Sequence, residues 1–366
     1  MKLKIQEFIS NHSNWQELLS NDPYNLKISY KNGLYCFKYN QISSNFNNPI
    51  VCEARGLILD SKTFEVVCCP FFKFFNIDEP HAAKIDWKNG ISVSEKIDGS
   101  LIKLYYWNDK WNVATNSGID AADSNLSNNI IYKNFYELFM AALPSTFSFD
   151  NLNKTYTYVF ELVSPFNKVV ISYNKPKLYL LMVRDNKTLK EINYNFSDIE
   201  KPEIYFVRTE EDCRRLIQRL NDSDVLTEGI VIKDSHNNRV KLKTAKYFDL
   251  HYMVNNHIMT LDRLIPIVRR NDVDELLSYF PEYTEIVCEI QKNIGFMWDL
   301  LVDIVALPQT LKDRGLSRKD FALHFRDYEF KYLAFMVYDG KLGDLEEYLK
   351  RLSDKEFIKL YKKLFC

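Results

Sequence analysis

Neither sign of charge dominates this sequence: 48 lysines and arginines stand against 49 aspartates and glutamates in 366 residues. A near-neutral chain has no global field with which to hold nucleic acid regardless of sequence, so any contact with RNA or DNA has to come from a local patch. The seven cysteines (Cys36, Cys52, Cys68, Cys69, Cys213, Cys288 and Cys366) are odd in number, include no CxxC pair and lack metal-ligand spacing. That pattern argues against a structural zinc site and fits reduced thiols in a cytosolic protein. No uninterrupted run of about 18 apolar residues is found, the length a membrane-crossing helix needs. The opening residues, Met1-Lys2-Leu3-Lys4-Ile5-Gln6-Glu7, carry charge where a signal peptide has its apolar stretch. The expectation is a cytoplasmic protein, or one of the host cytoplasm if viral, with no membrane partner. Internal repeats, low-complexity tracts and a Pro/Gly-rich linker are also missing, so composition marks no sharp domain boundary.

What is present is ample apolar material, 46% hydrophobic residues and 14% aromatics, enough for two domains with buried cores. Short β-rich runs fill the first two thirds: Leu101 to Trp107, Trp111 to Thr115, Tyr156 to Val163, Leu178 to Val183, Ile230 to Ile232 and Val240 to Leu242. Asn108-Asp109-Lys110 reads as a hairpin turn between the first two. Asn134 to Leu143 and Glu210 to Leu220 read as helices, which makes this part a mixed α+β domain, residues 1–254. Beyond it the period changes. Val287, Ile290, Ile294, Met297, Leu301 and Ile304 recur at steps of three and four on one helix face. Ser353-Asp354-Lys355-Glu356 has the form of a capping box opening a last helix with Phe357, Leu360, Tyr361 and Leu364 inward. Residues 255–366 are therefore expected to form an all-helical C-terminal domain.

Chemistry concentrates in Glu95-Lys96-Ile97-Asp98-Gly99-Ser100. A lysine is a nucleophile toward phosphorus only when its amine is unprotonated, and a glycine beside it lets backbone approach a nucleotide. Alone, the tetrapeptide Lys96-Ile97-Asp98-Gly99 reads first as a solvated turn with Asp-Gly at its corner, but other segments stand with it in order. Glu53-Ala54-Arg55-Gly56 leads into an apolar strand, and Phe71-Phe72-Lys73-Phe74-Phe75-Asn76 sets a cation among aromatics, a combination suited to a triphosphate and a stacked base. Glu161 lies in an apolar strand, where its ionised form needs a cation or hydrogen-bonding partner. Glu228-Gly229 precedes another strand. Lys241 and Lys243 then fall on one strand face, either converging on an anion or guarding a solvated edge.

Taken in order, these segments resemble the motif series of the covalent nucleotidyltransferase superfamily of ATP-dependent ligases and mRNA capping enzymes. They resemble most closely the RNA ligases of the T-even phage tRNA-repair type, with their KxDG nucleophile motif. The specific marks are Tyr39-Asn40, Glu53 to Gly56, Lys73 to Asn76, Lys96 to Ser100, Phe160 to Pro165, and Lys241-Leu242-Lys243 with Tyr247 and His251. The resemblance implies an antiparallel or mixed sheet of the ATP-grasp-like ligase kind, with an all-α domain after it.

It further implies that Lys96 is the adenylated nucleophile, assisted by Lys241 and Lys243. Tyr39, Arg55, Lys73, Glu95, Glu161, Lys241 and Lys243 would bind ATP, and Asp98, Glu161 and Glu228 would hold Mg²⁺ or Mn²⁺. The implied substrate is RNA with 5′-phosphate and 3′-hydroxyl ends, a cleaved tRNA among them, and the implied state is a monomer whose helical domain selects the RNA. One departure stands out: where the family has Lys-Gly-Ser after the hairpin, this chain has Asn116-Ser117-Gly118. Two rivals remain open. One is a DNA ligase or capping guanylyltransferase, which usually carries a β-barrel where this chain continues into helices; the other is a non-catalytic RNA-binding protein of the same fold.

Overall fold

The computed structural model describes residues 2–41, 43–126, 131–251, 260–279, 281–342 and 345–365. Alternation and turn chemistry build the first unit, Met1–Asn255; the second unit is Asn256–Cys366. In chain order the strands of the first unit are β1 (Leu26–Lys31), β2 (Leu34–Tyr39), β3 (Arg55–Asp60), β4 (Val66–Cys68), β5 (Phe75–Asn76), β6 (Ile91–Lys96), β7 (Ser100–Trp107), β8 (Lys110–Thr115), β9 (Tyr156–Val163), β10 (Lys177–Asp185), β11 (Glu191–Ile192), β12 (Ile204–Tyr205), β13 (Gly229–Asp234) and β14 (Arg239–Lys243). They form three sheets, ordered β1-β2-β3-β4, β11-β10-β9-β7-β8 and β12-β6-β13-β14-β5. Among the paired strands of the described residues only the short β14–β5 pairing is parallel, beside an isolated parallel bridge between Tyr179 and Glu200. Two hairpins turn through residues at positive φ, Asn32-Gly33 (51° and 80°) and Asn108-Asp109 (51° and 57°). Such two-residue turns match the right-handed twist of the flanking strands.

The sheets are held face to face by apolar layers. One face of the β7–β11 sheet, with Ile102, Leu104, Phe160, Leu162 and Leu180, packs on Leu138 and Phe139 of the helix Phe135–Ala142. Its other face meets the first sheet through Tyr105 and Ala114 against Leu34, Cys36, Ile58 and Cys68. At the end carrying Leu101 and Glu161 that face is left uncovered by the first sheet and opens into a cavity. The β12–β5 sheet buries Val93, Ile230, Ile232, Val240 and Leu242 against Cys213 and Leu216 of the helix Glu210–Asp222, so its opposite face is free to line that cavity.

The second unit is helical throughout its described residues, from Leu261–Arg269 to Asp354–Phe365. The capping box is formed: Ser353 Oγ and backbone N–H both reach the Glu356 carboxylate (2.6 and 2.9 Å), and Glu356 N–H donates to Ser353 Oγ at 3.3 Å. Phe357, Leu360 and Tyr361 are buried behind it. The longest helix among the described residues is Thr284–Asp313, of 30 residues. Within Pro281–Asp313 an 18-residue window has a mean hydropathy of 1.4 and is 17% buried, so length and composition would allow it to cross a membrane, a test that core helices of soluble proteins also pass. Asp299 and Asp303 interrupt the letters of the run without lowering its mean below that level, which is why counting uninterrupted residues missed it. Val287, Ile290, Met297 and Leu301 face inward, as the three-and-four spacing anticipated.

Candidate active site

Strand register assembles the centre of the site from three distant segments. On β13 Gly229 pairs with Lys96 of β6 on one side and with Lys243 of β14 on the other. Lys96, Gly229 and Lys243 thus form one lateral row, and two strand spacings set the lysine backbones about 10 Å apart on one face. The next row along is Ser94, Val231 and Lys241, and the next Ser92, Lys233 and Arg239. Every member of these rows except Gly229 lines the cavity. Gly229 cannot be replaced at no cost: its φ is +150°, and a Cβ there would lie 2.0 Å from the Leu242 carbonyl oxygen. Glu228, just before it, puts a buried carboxylate between the lysines, 2.8 Å from Lys96 Nζ and 3.8 Å from Lys243 Nζ.

The cavity holds about 450 Å³, within the range of small-ligand sites. Its lining includes eight lysines and arginines against three glutamates, a balance that favours a polyanion such as a triphosphate. The opposite wall comes from β7, β9 and the segment after β4. Glu161 projects there, paired in register with Leu101 of β7. Desolvation, reinforced by Glu228 and Asp98 and opposed by Lys96 and Arg55, pushes its carboxyl up to about 8. Arg55 stacks over Phe74 at 5.1 Å, and its buried Nε has no hydrogen-bond partner in the protein. Lys73 meets the need for a partner through aromatic faces: its Nζ sits 5.1–5.3 Å from the rings of Tyr39, Phe46 and Phe75. Glu95 borders the cavity beside Lys96. Burial raises its carboxyl above the usual range, with Glu203 adding to the shift and Lys177 opposing it.

Asp98 is placed otherwise than expected. Its carboxylate accepts from Val170 N (2.9 Å), Ile171 N (2.7 Å) and Tyr247 Oη (2.8 Å), and it does not line the cavity. It ties the loop after β9 and the helix Ala245–His251 to the nucleophile segment; the His251 side chain lies outside the described residues. Among the described residues no group of three His, Cys, Asp or Glu side chains is gathered to hold a metal. The expected trio Asp98, Glu161 and Glu228 therefore reduces to Glu161 and Glu228. Those two still fit Mg²⁺ or Mn²⁺, hard ions that take one or two carboxylates when substrate phosphates complete the shell. Gly99 has a structural reason of its own. A Cβ there would meet the Leu162 carbonyl oxygen at 2.5 Å, so the glycine permits close approach to β9. Glu53 is structural, accepting from Lys4 N and Ile5 N at 2.9 Å each.

Several lining residues were not anticipated. Lys233 and Arg239 share the face of Lys241 and surround Glu191, with Arg239 making bonds of 2.7 and 2.6 Å to its carboxylate. Burial opposes ionisation of Glu191, but Arg239, Lys233 and Arg184 outweigh it and hold the carboxyl below its usual range. The period of two in Gly229–Asp234 and Arg239–Lys243 was the available signal. Lys103 was missed too. It is fully buried between the first two sheets, donating to the carbonyls of Gly56 (2.7 Å) and Gly118 (3.3 Å). Gly56 packs so closely on the Asn116 backbone that a Cβ would lie 2.1 Å from its oxygen. The segment where the family lysine is replaced is thus bolted to the Arg55-Gly56 strand by a lysine from β7.

Known proteins resemble this chain over the residues that build the cavity. The RNA ligase family profile matches residues 53–249, which span Arg55, Lys96, Glu161, Glu228, Lys241 and Lys243. A putative bifunctional polynucleotide kinase/RNA ligase of Autographa californica nuclear polyhedrosis virus is 26% identical over 94% of this chain and 51% of its own, so this chain spans about half the length of that relative. An RNA ligase of Rhodothermus phage RM378 is 24% identical over 87% of this chain and 88% of its own. Among solved structures, an archaeal ATP-dependent RNA ligase superposes with a TM-score of 0.47 at 11% identity, covering 81% of this chain and 82% of that one. Matched by the family profile over more than half its length, with the profile's span enclosing the lysine–glutamate–lysine row of the cavity, the chain belongs to the RNA ligase family.

Proposed function

We propose that this chain is an ATP-dependent RNA ligase that joins 5′-phosphate and 3′-hydroxyl ends through a lysyl-AMP intermediate on Lys96. The observation that carries the reading is the row of Lys96 and Lys243 around Glu228, inside a cavity lined by eight cations. Lys96 Nζ attacks the α-phosphorus of ATP. The N–P bond forms as the bond to pyrophosphate breaks, and the amine's proton passes to solvent. For this the ion pair with Glu228 opens, and Lys243 and Lys241 hold α-phosphate oxygens while Arg55 and Lys73 face the departing phosphates. Glu161 and Glu228 would hold a divalent ion, Mg²⁺ or Mn²⁺, which would neutralise charge on the phosphates. AMP next passes from Lys96 to the RNA 5′-phosphate, forming a 5′–5′ pyrophosphate bond. The 3′-hydroxyl then displaces AMP and seals the phosphodiester.

The substrate side of the proposal is a broken tRNA or similar RNA, bound by a monomer in a reducing, cytoplasmic compartment (that of a host if the protein is viral) without a membrane partner. Cys36, Cys52, Cys68, Cys69, Cys213 and Cys288 are free thiols, which suits that compartment. The test is end-joining: 5′-labelled RNA incubated with ATP and Mg²⁺ becomes resistant to phosphatase and changes length. Label that stays phosphatase-sensitive with RNA but is protected with nicked DNA would assign the DNA-ligase reading instead.

A further inference from the structure

A second surface begins where the cavity ends. Lys201, Pro202 and Ile204 line the cavity rim, and β12 runs antiparallel to β6 with Ile204 opposite Ser94. This register sets Pro202 level with Lys96, and Phe206 four residues further along, about 13 Å away at strand rise. Directly after β12, Val207 N–H donates to the Tyr205 carbonyl at 3.1 Å, a three-residue turn with Phe206 at its apex. The turn leaves Phe206 99% exposed. Beside it opens a shallow depression whose walls include Arg208, Arg215 and Arg219. Asp212, also on its wall, is engaged by Thr209 in a capping box and by Arg215 at 2.6 Å. Arg208 and Arg219 are exposed and have no ion-pair partner among the described residues. The surface is firmly backed, since Cys213 and Leu216 on the other side of the same helix are buried against the sheet.

An isolated exposed aromatic is ordinary. An aromatic fully in water, flanked by two uncommitted guanidinium groups and continuous along the backbone with the rim of a polyanion cavity, is what single-stranded nucleic acid requires. Bases stack on an exposed ring in any sequence, and phosphates take charge-assisted bonds from arginine. Glu203 and Glu211 border the patch, so capture depends on Arg208 and Arg219 rather than on a broad basic field. We infer that Phe206, Arg208 and Arg219 form a docking surface for the single-stranded RNA leading to the cavity, with a base stacked on Phe206 and backbone phosphates on the two arginines. The choice of RNA rests on the proposed function. At about 3.4 Å per stacked nucleotide, 13 Å corresponds to roughly four nucleotides from the reacting end.

The test is direct binding, which needs no turnover. Fluorescence anisotropy of 5′-phosphorylated RNAs of three and twelve nucleotides is measured with wild type, Phe206→Ala and the double variant Arg208→Ala/Arg219→Ala, and lysyl-AMP formation from ATP is followed in parallel. Phe206→Ala weakens binding of the twelve-mer about tenfold or more. The arginine variant reduces the slope of log K against log salt by about 1.4, two phosphate contacts' worth for a single strand. Three-mer affinity and lysyl-AMP formation stay at wild-type levels. Twelve-mer affinity unchanged in both variants, or an equal loss for both lengths, overturns the inference. Unchanged RNA affinity with altered sedimentation would reassign the patch to a protein contact. Absence of lysyl-AMP in wild type would count against the proposed function and leave the binding result to be judged alone.

Discussion

Substituting Gly229 by alanine separates what this strand contributes to folding from what it contributes to chemistry. The added Cβ would stand 2.0 Å from the Leu242 carbonyl oxygen and 2.7 Å from the Lys243 Cα, on a residue whose φ is +150°. Relief requires β13 and β14 to part by on the order of 1 Å, and the alanine must also tolerate a backbone conformation that costs about 1–3 kcal/mol outside glycine. With weakening of the ladder between Gly229 and Lys243, the expected destabilisation is about 2–4 kcal/mol. That is less than the whole stability of a typical domain, so the variant still folds. Function is hit harder. The shift carries Lys243 away from Glu228 and Lys96, and a misplacement of about 1 Å at a reacting centre costs about a hundredfold in rate. Urea denaturation and the initial rate of lysyl-AMP formation measure the two effects on the same preparation. A variant with wild-type stability and wild-type labelling would refute the reasoning, because no account of the row survives a spacious Gly229.

Other substitutions probe the remaining walls. The Glu161 carboxyl, raised from an ordinary value of 4.5 to about 8, binds its proton more tightly in the folded than in the unfolded protein, so stability falls as pH rises through that window. Glu161→Gln, which cannot ionise, flattens that decline in urea midpoints taken from pH 5 to 8.5, and equal slopes in both proteins would refute the shift. Lys103→Met strands the Gly56 and Gly118 carbonyls, costs about 1–3 kcal/mol and raises the KM for ATP through Arg55; Lys103→Arg restores part of each, whereas an unchanged KM in both removes Lys103 from the site's support. Asp98→Asn removes the negative charge that the backbone N–H groups of Val170 and Ile171 and the Tyr247 hydroxyl share, so thermal stability drops further than in Tyr247→Phe, which loses the bond to Asp98, about 1 kcal/mol; the reverse order would contradict the placement of Asp98.

Local signals carried much of the fold. Tyr156–Val163 was legible as a strand to its end residues because aromatic and β-branched residues fill it. Asn108-Asp109 and Ser353 to Glu356 declared a turn and a helix start by side-chain chemistry alone. The Asn32-Gly33 hairpin carried an equally strong turn signal between alternating strands and was passed over, so that of the first sheet only β3, the apolar strand after Arg55-Gly56, was anticipated. The site was legible as a set of residue types but not as an arrangement. Nothing in the neighbourhood of Lys96 says that Gly229 and Lys243 will lie beside it, since strand pairing across more than a hundred residues is decided by packing. For the same reason Asp98 looked like a metal ligand: its three hydrogen-bond donors come from residues 72 or more positions away. Lys103 was hidden by its setting in an apolar strand, where a buried cation is legible only once the facing carbonyls are known.

The most direct test of the central claim is covalent labelling. The protein is incubated with Mg²⁺ and α-labelled ATP or GTP, and wild type and Lys96→Ala are compared after denaturing electrophoresis. The account predicts label on wild type from ATP alone and none on Lys96→Ala. Label retained by Lys96→Ala would contradict the nucleophile assignment, label from GTP would favour capping chemistry, and no label on wild type would leave the cavity a binding site without the proposed reaction.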